Sequence, residues 1–186
     1  GRRRCPPLTG PGAADRLGRL PDGLMRFDAG RDLAAVIALL ELGFGDDLEE
    51  RDRRWLKDLA ALSAAGPLVG LALRLVPGAV DGLGGYVLYE AGRLIGNVSV
   101  LRAGPDSWVI ANVVTHPLYR RRGIADRLMA EALGGARQRG ARRVQLQVRD
   151  TNAAAKALYE RLGFRVVGAS TLLRLPGGAQ SAARTE

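Results

Sequence analysis

Arg120, Arg121 and Arg122 stand in a row directly before Gly123, Ile124 and Ala125, and shortly after a β-branched run that closes on Val113, Val114 and Thr115. That order predicts strand, turn, helix. At such a junction the first backbone N–H groups of the helix have no partner inside it, and with the helix dipole they form a site for an anion. Gly123 allows a phosphate to come close to the backbone, the small Ala125 keeps the passage clear, and the arginines add long-range attraction. A pyrophosphate-sized ligand suits the pattern; an ordinary turn that happens to hold Gly and Arg is the alternative. Further along, Asn152 stands at the start of a second predicted helix, with Tyr159 two turns later on nearly the same side. Asn152 is suited to cap the helix. Tyr159 sets an aromatic ring beside Leu158 and Leu162.

The elements that must hold these residues follow from hydrophobic spacing. A short strand is expected over 24–27, with Asp28 placed to cap a helix over 31–42 whose face carries Leu33, Val36, Ile37 and Leu40, ending at Gly43. A second amphipathic stretch covers 48–62, its start rich in acids (Asp46, Asp47, Glu49, Glu50) that favour the positive end of a helix dipole. Residues 69–76 read as an ambiguous strand. A hairpin follows over 86–90 and 94–101, then a strand over 108–115. The remaining pattern is a helix to about Arg139, a strand over 144–148, a helix over 152–162, and strands over 164–167 and 171–175. The order predicts an α/β (α+β) single domain, a mixed and mostly antiparallel sheet with helices on both faces. Residues 1–22 read as an N-terminal extension, 23–175 as the domain and 176–186 as a C-terminal tail.

Composition narrows the class. At 186 residues and 47% hydrophobic content the chain suits one core of ordinary size. Cys5 and His116 are single, so a disulfide within the chain or a zinc site has no ligand set, and no metal is expected. The formal charge of +9 would suggest nucleic acid. Lys57 and Lys156 are the only lysines among 28 basic residues, so arginine dominates in a chain also rich in Ala, Gly and Leu, a bias typical of GC-rich coding. Aromatic residues, at 5%, do not interleave with the basic runs as a base-stacking surface would require. No apolar run approaches the roughly 20 residues that cross a bilayer, and no apolar signal core follows Arg2, Arg3 and Arg4. The expected location is cytoplasmic, without membrane or nucleic acid as partner.

Taken together, the two chemical stretches resemble the GNAT superfamily of acyl-CoA-dependent N-acyltransferases. Its signature Arg/Gln-x-x-Gly-x-Gly/Ala matches Arg120, Gly123 and Ala125, and a second, Asn-x-x-Ala-x-x-Leu-Tyr-x-x-x-Gly-Phe, matches Asn152, Ala155, Leu158, Tyr159, Gly163 and Phe164. The resemblance follows the order of elements over about 24–175 and is strong in motif over 108–164. It implies an enzyme using acetyl-CoA as co-substrate and an amine as acceptor, and a homodimer as the common assembly. Backbone amides from Arg121 through Gly123 and Ile124 to Ala125 would cradle the CoA pyrophosphate, with Arg120, Arg121 and Arg122 neutralising charge. Val113 and Val114 would pair with the pantetheine arm, the Val114 N–H would stabilise the oxyanion, Asn152 would contact the pantetheine or orient its loop, and Tyr159 would protonate the departing thiolate.

The base is not where relatives often keep it. Asn112 occupies the central strand and Gln147 stands where ribosomal-protein N-terminal acetyltransferases carry Glu; neither amide accepts the proton. His116, Glu90, Glu41 or a water chain remain as candidates. The missing acid also motivates a second reading, a CoA-binding module without catalysis, and the charge a third, a basic nucleic-acid-binding domain.

Overall fold

The computed structural model describes residues 22–45 and 84–169. The expected helix over 48–62, the strands over 69–76 and 171–175, the extension up to 21 and the tail from 176 lie outside the described residues. The chain divides into two compact units, Gly1–Gln147 and Val148–Glu186, each described by itself.

In the first unit, β1 (Gly23–Arg26), β2 (Gly84–Glu90), β3 (Arg93–Arg102), β4 (Ser107–Thr115) and β5 (Arg143–Leu146) form one sheet in chain order. The first three pairings are antiparallel and β4 with β5 is parallel, so the sheet is mixed and mostly antiparallel, as expected. The parallel pair is joined by α2 (Ile124–Gln138), the crossover that a parallel connection needs. The 3-10 turn Pro117–Tyr119 lies between β4 and α2.

Helix α1 (Ala29–Phe44) and α2 lie on opposite faces. Val36, Ile37, Leu39 and Leu40 of α1 pack with Val87, Tyr89, Leu94 and Val114. On β3, Gly96 instead lies against Ile124 and Leu128 of α2. Leu94 and Gly96 would share a face in a regular strand. They do not, because Tyr89 pairs Leu94 while Leu88 pairs Gly96, leaving Ile95 as an extra residue in a β-bulge.

A second bulge matters more. Asn97 pairs Val114 and Ser99 pairs Ala111, so Asn112 and Val113 together face the single Val98. Asn112 takes the left-handed conformation (φ 51°) that Asn tolerates better than most residues. The extra residue turns Val114 to the α1 face, where Ala111 also points.

Helix α1 starts earlier and ends later than its apolar spacing suggests, through Phe44, with Gly45 rather than Gly43 in the positive-φ cap (φ 44°). Strand β5 stops at Leu146 instead of 148. The second unit contains α3 (Ala153–Arg161), and residues 164–169, expected to begin a strand, form no regular element. Val166 and Val167 are exposed there, so their β propensity has no packed surface to act on.

Candidate acyl-CoA site

Arg121 (φ 64°) and Gly123 (φ 71°) both adopt left-handed conformations, and Gly123 is the N-cap of α2. Gly123 has no side chain, so the N-cap residue itself gives no acceptor to the amides of the first turn. The positive φ explains glycine here, and the space around the missing Cβ is open.

The three arginines divide their tasks. Arg120 donates from Nη2 to the Gly43 carbonyl at 3.2 Å. Arg122 stacks on the Tyr119 ring at 4.9 Å and stands 3.7 Å from the Glu90 carboxylate. Arg121 is exposed, and its guanidinium has no such partner among the described residues. Arg122, Ile124 and Arg127 also line a shallow cavity of about 270 Å³ shared with Asp22, Leu88 and Glu90, whose two carboxylates temper the positive field there.

Next to this turn, β4 outruns its neighbour. Its pairing with β5 ends at Ile110 opposite Leu146, while β4 continues to Thr115 and stays paired to β3. Over 111–115 the β5 side of β4 therefore has no strand partner among the described residues, and Val113 and Val114 lie on that stretch. An unpaired strand edge is a place for an extended chain to add.

Sequence reasoning missed two polar groupings. Asn97, only 1% exposed, donates from Nδ2 to the Asn112 carbonyl at 2.9 Å and approaches Ser99 Oγ at 3.5 Å; Asn112 Nδ2 donates to the same Oγ at 3.2 Å. These bonds pin the bulge. The available signal was two polar residues at i and i+2 on one face of an apolar strand. At the start of α1, fully buried Asp32 accepts from Asp28 N (2.8 Å), Arg31 Nε (2.6 Å), Arg31 Nη2 (2.8 Å) and Tyr89 Oη (3.0 Å). Burial, followed by the neighbouring Asp32 charge, holds the Tyr89 phenol far above its ordinary range. Both residues are locked into structure.

The base candidates fare unequally. His116 is buried, its Nδ1 accepts from Leu118 N at 3.3 Å, and its ring meets Tyr119 edge-on at 5.3 Å. Burial, then Arg93 and Arg120, lower its pKa below the usual imidazole value. It is a neutral cap of the 3-10 turn. Glu90 faces Arg122, and Glu41 is exposed on α1. Gln147 is exposed just past β5, and Asn112 is held in the bulge.

In the second unit, Asn152 caps α3, its Oδ1 accepting from Ala155 N at 3.0 Å. Tyr159 is buried, with its ring 6.0 Å from Phe164 in an edge-on arrangement. Burial raises its pKa, which keeps the phenol protonated at neutral pH. Asn152 and Tyr159 thus sit at the start and in the last turns of one short helix.

Residues 47–164 match the model of the acetyltransferase (GNAT) family, and the chain belongs to that family. It is 39% identical over 82 residues to the N-alpha-acetyltransferase RimI of Mycobacterium tuberculosis, a match covering 42% of this chain and 50% of that protein. To the mycothiol acetyltransferase of Thermobispora bispora it is 32% identical over 173 residues, covering 85% of this chain and 51% of the relative. The chain thus spans about half the length of these two curated relatives. A solved acetyltransferase from Agrobacterium tumefaciens has the same fold, with a TM-score of 0.58 at 23% identity over 82% of this chain and 99% of that one. The GNAT-like α/β fold expected from the sequence is the one observed. No helix among the described residues is long and apolar enough to cross a membrane, and no cluster of metal-ligating side chains occurs among them.

Proposed function

We propose that the chain is an N-acetyltransferase that moves an acetyl group from acetyl-CoA to a primary amine of a small molecule or peptide, by direct attack in a ternary complex. The observation that carries this reading is the glycine-capped α2 N-terminus, with Arg121 and Gly123 in left-handed conformations, beside a strand end that outruns β5. Phosphate charge and an extended arm need those two features together.

In this reading the amides of Arg121, Arg122, Gly123, Ile124 and Ala125 hold the pyrophosphate, and the exposed Arg121 guanidinium adds positive charge beside them. Val113 and Val114 lie on the strand end offered to the pantetheine, while the register with Asn97 turns the Val114 N–H toward β3 and away from the oxyanion role that the family resemblance implied. Tyr159 gives its proton to the thiolate. A thiol of pKa ~8.5 leaves with modest help, so this donor sets the rate without being indispensable. Asn152 shapes the loop by capping α3. Neither Asn112 nor Gln147 accepts a proton, and His116 is committed to its turn, so water carries the amine proton away. An α-amino group, with a pKa of ~8, is partly neutral already and suits a site without a carboxylate base better than a lysine side chain does. The names of the two relatives, an N-alpha-acetyltransferase and a mycothiol acetyltransferase, fit that range of acceptors.

The test is thiol release from acetyl-CoA across a panel of α-amino peptides and small amines. Turnover with at least one α-amino acceptor is expected. Tight CoA binding without turnover on any amine would favour the second reading, a CoA-binding module without catalysis, for which the absent carboxylates at Asn112 and Gln147 speak.

A further inference from the structure

The end of α1 lacks a cation of its own. No basic residue occupies its last turn, although the final carbonyls of a helix are unpaired and carry the negative end of its dipole. The Gly45 N–H satisfies the Glu41 carbonyl. The Gly43 carbonyl is satisfied from 77 residues away, by Arg120 at 3.2 Å. Gly43 also touches β4: a Cβ placed on it would collide with Val114 Cγ2. One glycine therefore meets the turn before α2 through its carbonyl and the end of β4 through its missing side chain.

We infer that Arg120 is a positioning residue and not a phosphate ligand: with Gly43 and Val114 it forms a strut that ties the C-terminal turn of α1 to the anion-binding turn. This rests on the acyl-CoA reading for its ligand but not for its geometry. The guanidinium is already engaged by a carbonyl, whereas neighbouring Arg121 is exposed and unengaged among the described residues. An anion seated on the amides that follow Arg120 fixes the backbone from which this side chain reaches. Fixing that backbone steadies the Gly43 carbonyl, so occupancy of the CoA site is felt at the end of α1. The Val114 contact makes the link two-sided. The residues that close this loop of contacts are far apart in sequence, and each contact is replaceable by mutation.

Hydrogen exchange of the amides of residues 41–45, with and without CoA, tests the strut in the whole protein. CoA is expected to slow their exchange about three- to fivefold, the effect of steadying one hydrogen bond. In Arg120→Ala, CoA still binds but the response vanishes, and basal exchange rises; Arg120→Lys restores part of both. Gly43→Ala, which keeps the guanidinium but pushes Val114 aside, also removes the response. A response that persists in Arg120→Ala overturns the inference, as does its absence in the unmutated protein with CoA bound. Loss of CoA binding in Arg120→Ala returns that arginine to the phosphate-binding set and also overturns it. If the unmutated protein binds no CoA, the acyl-CoA reading fails; the strut then stands or falls on whether Arg120→Ala raises basal exchange at 41–45.

Discussion

The two long helices of the first unit begin in opposite ways. At α1, Asp28 accepts from the amides of Gly30 and Arg31 while buried Asp32 reaches back to the Asp28 amide. Two carboxylates close that terminus. At α2, the N-cap is Gly123, which has no side chain to offer an acceptor. The physics of the two termini is the same, a positive dipole end with unpaired donors, and the difference lies in who supplies the acceptor. At α1 the N-cap residue supplies it and the terminus contributes stability; at α2 the N-cap residue does not.

Disturbing the closed terminus has the largest expected effect. Asp32→Ala leaves Arg31 and Tyr89 without their shared carboxylate, and denaturant unfolding should show a loss of about 3 kcal/mol. CoA affinity, measured under folding conditions, should change little, because the open terminus is untouched. Closing the open terminus comes next. Gly123→Asp sets a negative charge among the α2 amides and should weaken CoA binding by about 2 kcal/mol in titration calorimetry, while costing less stability than Asp32→Ala. Equal losses of affinity from both substitutions would erase the distinction.

Tyr159→Phe should lower kcat about tenfold with CoA affinity unchanged, since it removes a proton donor used only during the reaction. The smallest effect concerns His116. Its pKa is lowered in the native state, so the unfolded chain takes up the proton first as pH falls through ~6.5. Stability is therefore present above that pH and lost below it. His116→Asn, which keeps an acceptor for the Leu118 amide, should flatten the fall in melting temperature between about pH 7 and 5. An unchanged slope would show that His116 is not the group responsible.

Much of this contrast was legible in the sequence. Asp28 as a cap, the hairpin between β2 and β3, and the strand-turn-helix through Gly123 all follow from local spacing, and local spacing was enough. Asp32 was not legible: an acid in a first turn reads as a solvated group, and its buried partner Tyr89 is 57 residues away. The bulges at Ile95 and Asn112 are properties of paired strands, so neither strand alone announces them. The same holds for Arg120, whose place in a family signature suggested phosphate while its side chain reaches Gly43. Strand β5 ran short for a related reason: 147 and 148 keep an alternating pattern, but β4 pairs with that strand only as far as Leu146.

Titration calorimetry of CoA and acetyl-CoA into the unmutated protein tests the central claim most directly. Saturable binding at one site per chain is expected, weakened markedly by Gly123→Asp and little by Asp32→Ala. Absence of binding, or binding indifferent to Gly123→Asp, would contradict it.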